Sequence, residues 1–478
     1  MRFPDIPMFQ GVNAPSRIEL DLDDLEVDGE IPSGLDGAFF RIAPDHHYPP
    51  MFTDDVPFNA DGTVSTFRIK DGRVDLKHRY VKTDRFKAEA AAGRTLFGKY
   101  RNPFTDDPSV KGMNRNLANT NPVVFAGKLL ALREDSPPVA MNPLTLETIG
   151  NWDFEGTLPG PTFTAHPKID AETGQMIAFG FAAKGLYSRD VCYYEISPEG
   201  RVTHSVWFEL PYYCMLHDWG VTRDYVVFPV IPMCGVGEDA LKAGRPHYAW
   251  DPSKEIFLGV LPRGGEAKDL RWFTAPNQFC SHVMNAFNEG TKICIDVPRA
   301  EGNMFPFFPE LGRPWDPSGA ASRLTRWTVD VGSNSGAFES ATQLTEFVGE
   351  FPRNDDRYQM SPYRHGWMLG FGGTRNSLGH VDIATGRTQV FEAPLDTPLQ
   401  EPCFIPRRPG AAEGDGYIIQ AATRAKEMRT DVFLYEALKI EAGPIATIRL
   451  PVRLRPGYHG SWADASALTA ASPAPAAR

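Results

Sequence analysis

Short runs of alternating apolar and polar residues dominate the chain. TVSTFRIKDGRVDLKHRYV (63–81), QMIAFGFAA (175–183) and YYEISPEGRVTHSVWFEL (193–210) place β-branched or aromatic residues at nearly every second position. Alternation with a period of two marks a strand with distinct faces. Turn signals punctuate the runs, among them Asp71-Gly72 and Glu199-Gly200. The same grammar returns in KICIDV (292–297), RLTRWTVDV (323–331), HVDIATGRTQVFEA (380–393) and GYIIQAATRA (416–425). Helical periodicity is rare, with the best short candidate near 84–97 (DRFKAEAAAGRTLF). The pattern predicts an all-β protein.

Strands at this density over roughly 440 residues suit a propeller of several four-stranded blades better than one sandwich. A propeller also explains how 478 residues without an evident linker form one body, expected to span 1–464. No exact internal repeat survives to reveal radial symmetry. The 43 glycines and 42 prolines supply the many tight turns such a chain requires. From Ala465 to Arg478 the sequence turns Ala/Pro-rich (ASALTAASPAPAAR), which predicts a mobile tail.

Composition then narrows the partners. A net charge of −11 argues against nucleic acid, which needs clustered Lys and Arg. No apolar stretch approaches the length of a spanning helix. The opening MRFPDIPMFQG has no basic segment followed by an apolar run, so no secretory signal is expected. Six irregularly spaced cysteines read as reduced, buried thiols of a cytoplasmic protein.

Four of the eleven histidines share a setting of aromatic and small apolar neighbours: His166 (FTAHPK), His217 (YYCMLHDWG), His282 (FCSHVMNAF) and His459 (GYHGSW). Neutral imidazoles are borderline ligands suited to Fe, Zn, Cu or Ni. From His166 the steps to His217, His282, Glu350, Glu401 and His459 are 51, 65, 68, 51 and 58 residues, each near one blade of a large propeller. Glutamates behind the histidines would fix imidazole tautomers by accepting the distal N–H. Any one such histidine is more often an ordinary hydrogen-bonded core residue. The cysteines at 214 and 280, close before His217 and His282, lack the paired spacing of structural zinc sites and read as core fillers. His46 and His47 lie in a Pro-rich turn, His78 and His204 in strands, and His247, His365 and His380 in polar surroundings.

IPSGLDGAFFRIAPD (31–45), FNADGTVSTFRIKDGRVD (58–75), AHPK (165–168), HD (217–218), EFPR (350–353), EP (401–402) and YHGSWAD (458–464) resemble the carotenoid cleavage oxygenase family. LFGKYRNPFTDDPSV (96–110), REDSP (133–137), PYYCMLHD (211–218), SHVMNAF (281–287) and FPFFP (305–309) resemble its lignostilbene dioxygenase branch. The motifs occur in order along nearly the whole chain. The resemblance implies a seven-bladed β-propeller with loops and short helices capping one face, and one Fe(2+) per chain on the axis. It implies His166, His217, His282 and His459 as iron ligands, with Glu134, Glu350 and Glu401 behind them. It places Thr120 beside the iron, and Phe58, Tyr100 and Arg133 at the phenol of the substrate. Relatives in that branch carry Lys where this chain has Arg133. Arginine keeps its charge and offers a planar fork, whereas lysine can exchange a proton; an ion pair with Glu134 or Asp135 is the plain alternative for Arg133. The segment 367–379 (WMLGFGGTRNSLG) is shorter than in those relatives. Phe305, Phe307 and Phe308 are candidates for tunnel walls or for plain core.

The implied activity is O2-dependent cleavage of the alkene in phenolic stilbenoids to two aromatic aldehydes. Phenylpropenes such as isoeugenol or vinylguaiacol, and apocarotenoids, are the rival substrates. A non-catalytic binding propeller and a zinc hydrolase rank lower. The partners expected are a small aromatic substrate and O2; a homodimer is compatible with the sequence, which does not decide the oligomeric state.

Overall fold

The computed structural model describes residues 2–371 and 375–469. Its body is a succession of antiparallel sheets, mostly four- or five-stranded. The alternating runs become the expected hairpins: Gly62–Lys70 pairs with Arg73–Tyr80 across Asp71-Gly72. Both turn residues have positive φ (53° and 76°), the geometry whose twist matches the flanking strands. The strand Ser340–Asn354, 15 residues long, pairs with Arg323–Asp330 over one part and with His365–Gly370 over the other, so two four-stranded units share one strand.

Period-two alternation sends successive side chains of one strand into different cores. In Gly37–Pro44, Phe39 packs with Cys403, Ile405 and Ile419, while Ala38, Phe40 and Ile42 pack with Leu129, Ala131 and Val139. Inner strands such as Gly37–Pro44 and Met176–Phe181 are therefore buried on both faces, whereas outer strands such as Glu26–Gly29 and Thr148–Asn151 stay partly exposed.

The two ends of the chain exchange strands. Gly460–Asp464 pairs with Gly37–Pro44, and Glu26–Gly29 pairs with Ala446–Arg449. The first pairing starts at the residue after His459, so the ends that hold the body together also seat one candidate ligand.

Helices are few. The helix Asp84–Ala92 starts at Thr83, whose side chain accepts from Phe86 N, and stops at Gly93 in the left-handed region (φ 67°). It covers the first part of the predicted 84–97 segment. Residues 94–97 instead form a loop held by Glu89, which accepts from Leu96 N and Phe97 N at 2.9 and 3.1 Å. At the other end, Ala465–Thr469 is helical rather than a loose tail, because Leu468 packs into the core with Phe40 and Leu129. The remaining expected tail, 470–478, lies outside the described residues, as do residues 372–374 of the 367–379 segment. Among the described residues no helix is long and apolar enough to cross a membrane.

A Cβ on Gly37 would lie 2.3 Å from Trp462 Cζ2 and 2.5 Å from the Ala463 carbonyl oxygen. Gly37→Ala is therefore expected to cost about 1–3 kcal/mol through overpacking against the C-terminal strand. Urea unfolding checks this; an unchanged midpoint contradicts it.

Candidate metal centre

Each of the four histidines stands just before a short strand: His166 before Lys168–Ile169, His217 before Gly220–Val221, His282 before Asn285–Glu289 and His459 before Gly460–Asp464. Four separate segments thus deliver one imidazole each to a common point. One ligand atom from each ring lies within 4.8 Å of all the others. Nε2 of His217 is 3.2 Å from Nε2 of both His166 and His282. His166, His282 and His459 are buried and His217 half-buried.

Carboxylates fix three of the rings. Glu134 accepts from Nδ1 of His217, Glu350 from His282 at 2.6 Å, and Glu401 from His459 at 2.9 Å. Glu134 follows the strand Lys128–Leu132. Glu350 and Glu401 lie within strands whose register shifts where they stand. Such irregularities turn a side chain off the regular pleat. Each carboxylate has further donors: Arg101 Nη2 on Glu134 at 3.0 Å, Ser281 Oγ and Phe351 N on Glu350, and Gly460 N on Glu401 at 2.8 Å. Among the described residues no carboxylate pairs with His166; its carbonyl oxygen accepts from Trp219 Nε1 at 2.9 Å.

Charge follows from this wiring. Burial, reinforced by the neighbouring histidines, holds His166 well below the usual imidazole range, and burial takes His459 down to about 4 against the pull of Glu401. Burial opposes the charge of His282 as well, yet Glu350, joined by Asp218 and Glu401, moves it up. Burial opposes ionisation of Glu401, yet His459 and Arg353 bring it down to about 2. Glu134 and Glu350 are lowered in the same way by their histidines.

The tautomers test the fit to a metal. When both rings are neutral, with the Nδ1–H of His217 and of His282 donated to carboxylates, both Nε2 atoms carry lone pairs, and these face each other at 3.2 Å. Two acceptors cannot bond each other; a cation between them resolves the repulsion. Imidazoles about 2.1 Å from one ion stand about 3.0–3.4 Å apart at right or tetrahedral angles. The residues fit a metal held by four neutral nitrogens.

Beside the four rings lies an aromatic cluster. Phe58 meets Tyr100, Phe305, Phe307 and Tyr458 at ring-centroid distances of 6.2, 6.1, 5.0 and 5.7 Å. Phe351 packs on the rings of His282 and His459 at 5.0 and 5.4 Å. Burial pushes the Tyr100 phenol up to about 12. Arg133 lies with Cζ 5.3 Å from the Tyr100 ring centre, its Nε bonded to Asp135 at 3.0 Å and its Nη1 to Asn119 Oδ1 at 2.9 Å. Thr120 donates its hydroxyl to Asn119 Oδ1 at 3.3 Å.

The structure thus brings together the four histidines with their three glutamates, and separately Phe58, Tyr100, Arg133, Phe305 and Phe307. Sequence reasoning missed Arg101, Phe351 and Tyr458; the last two stand inside the EFPR and YHGSW motifs, next to residues that were singled out. It also placed His247 and His380 in polar surroundings, yet both are buried. Tyr213 donates to His247 Nε2 at 2.8 Å, and His380 stacks on Trp367 at 5.3 Å. Cys214 and Cys280 are buried and free, as expected of core fillers.

Residues 13–464 match the family described as RPE65, retinal pigment epithelial membrane protein. Lignostilbene-alpha,beta-dioxygenase isozyme III of Sphingomonas paucimobilis is 50% identical over 488 positions, covering 98% of this chain and 99% of that protein. Isoeugenol monooxygenase of Pseudomonas putida is 42% identical over 474 positions, covering 95% and 98%. The crystal structure of Pseudomonas brassicacearum lignostilbene dioxygenase superposes with a TM-score of 0.93 at 41% identity, covering 97% of this chain and 100% of that one. With a family match over most of its length and close relatives covered end to end, the chain belongs to the RPE65/carotenoid oxygenase family.

Proposed function

We propose that this chain is an Fe(II) dioxygenase, with one iron per chain on the axis of a seven-bladed propeller, that splits the alkene of phenolic stilbenoids. The observation that carries the reading is the convergence of four imidazoles beside a half-buried aromatic cluster. His166, His217, His282 and His459 hold the iron, and Glu134, Glu350 and Glu401 keep three of them in the ligating tautomer. Four uncharged ligands leave the ion its full +2 charge. Iron, once bound, supplies the activation of O2. One oxygen atom goes to each alkene carbon, giving two aldehydes and leaving no other product.

The protein's part is to hold and orient the alkene. Phe58, Phe305, Phe307 and Tyr458 offer faces and edges that grip an aromatic ring. Tyr100, protonated at neutral pH, donates to the phenolic oxygen of the substrate. Arg133 stabilises negative charge growing on that oxygen without exchanging a proton. Its fork is already engaged by Asp135 and Asn119, so it acts as a fixed charge. Electron density released from the phenol raises the reactivity of the conjugated alkene. We assign to Thr120, hydrogen-bonded to Asn119, the limiting of how the iron is approached. Isoeugenol-type phenylpropenes are the second reading, favoured by the relative at 42% identity.

Aerobic turnover of lignostilbene, resveratrol, isoeugenol and an apocarotenal decides between these substrates. The expected result is fastest cleavage of the two stilbenoids to aromatic aldehydes, each carrying one 18O atom from 18O2. A preference for isoeugenol or the apocarotenal contradicts the substrate assignment. Glu350→Gln is expected to weaken iron binding or activity about 10–100-fold, the usual cost of losing a carboxylate behind a metal-bound histidine. Unchanged iron retention and rate would contradict the role given to Glu350. Arg133→Lys is expected to add a pH-dependent limb to kcat/KM for a phenolic stilbene, since lysine titrates where arginine does not. Profiles that coincide would show that residue 133 does not act on the phenol.

A further inference from the structure

Asp218, the residue after His217, is 6% exposed, and its carboxylate is bonded on every side. Oδ1 accepts from Lys168 Nζ and from Trp219 N, both at 2.8 Å, and Oδ2 accepts from Val283 N at 2.7 Å. Lys168 lies two residues beyond His166, and Val283 directly follows His282. One carboxylate therefore joins the segments that carry His166, His217 and His282. Trp219 adds a second tie, its indole N–H donating to the carbonyl oxygen of His166. Arg353 serves the fourth segment: Nη1 donates to Gly460 O at 3.2 Å, beside His459, and lies 3.6 Å from Glu401.

None of these groups belongs to the four-nitrogen set or to the aromatic cluster. Resting on the metal-centre reading, we propose that Asp218, with Trp219, is a positioning residue. It clamps three ligand segments from different sheets so that their imidazoles already stand at the separation an ion requires. Bringing separate segments to a common point is the hard part of building such a site, because ligand geometry must hold to within about 0.5 Å. A carboxylate suits the task because it only accepts and can take donors from several segments at once. An asparagine cannot replace it: its amide nitrogen would face either the Lys168 ammonium or the Val283 N–H. The Lys168 ammonium also balances the buried charge.

The test compares full-length wild type, Asp218→Asn and Trp219→Phe. Co(II) serves as probe, with affinity, the ligand-field absorption spectrum at saturation and urea unfolding of the metal-free chains all measured. Asp218→Asn is expected to weaken Co(II) binding about 10–100-fold and to change the spectrum at saturation. General destabilisation would leave that spectrum unmoved. Trp219→Phe keeps the aromatic packing and removes one tie; a smaller loss of affinity with a spectral change in the same direction is expected. Wild-type affinity and spectrum in Asp218→Asn would overturn the clamp. Where Asp218→Asn does not fold, the same wild-type behaviour in Trp219→Phe overturns it. A wild-type chain that takes up no Co(II) would instead defeat the metal-centre reading on which the clamp rests.

Discussion

Lone pairs that face one another in a buried site repel, and water cannot relieve them there. His217 and His282, when neutral, are in that position because Glu134 and Glu350 take their only N–H groups. Much of the structure around the centre answers this one constraint. The glutamates must stay ionised inside the protein, so each is surrounded by donors: Arg101, Ser281, the backbone at Phe351 and Gly460, and Arg353 near Glu401. Removing one partner of such a pair leaves an uncompensated buried charge, far costlier than never having built the pair. The arrangement becomes favourable once a cation sits among the four nitrogens, so the site couples metal binding to stability.

The sheets supply what the centre needs geometrically. Four segments far apart in sequence deliver histidines just ahead of short strands, and irregular register at Glu350 and Glu401 turns carboxylates toward them. The exchange of strands between the chain ends fixes the last of the four, since Gly460–Asp464 begins where His459 stops. Stability of the body and integrity of the site are thus linked at that seam. The aromatic cluster is a separate device. It adds no ligand; it gathers an edge-rich apolar surface and the Arg133 guanidinium around Tyr100 and Phe58.

What could be read from the sequence follows the range of the physics involved. Strands were legible because alternation and turn residues are local signals, and the Asp71-Gly72 hairpin formed as its residues require. The histidines' apolar surroundings alone did not mark the site: His46, His78, His247 and His380 are equally buried, yet among the described residues they form no shared cluster. Motif resemblance, with the spacing in support, singled out the four that converge in the structure, because that signal spans the whole chain. Pairing of Gly37–Pro44 with Gly460–Asp464 was invisible, being a contact between distant segments with no local mark. Phe351 escaped notice because its backbone takes a positive φ of 51°, which no side-chain pattern announces. The helix at Ala465–Thr469 was missed because an Ala-rich run reads as loose until Leu468 is seen to find a core.

The central claim is that four histidines bind iron, and stoichiometric uptake tests it most directly. Anaerobic Fe(II) titration of the full chain, side by side with His282→Ala, should give one tightly held iron per wild-type chain and none comparably held by the variant. Wild-type protein that takes up no iron, or a variant that holds it equally well, would contradict the account.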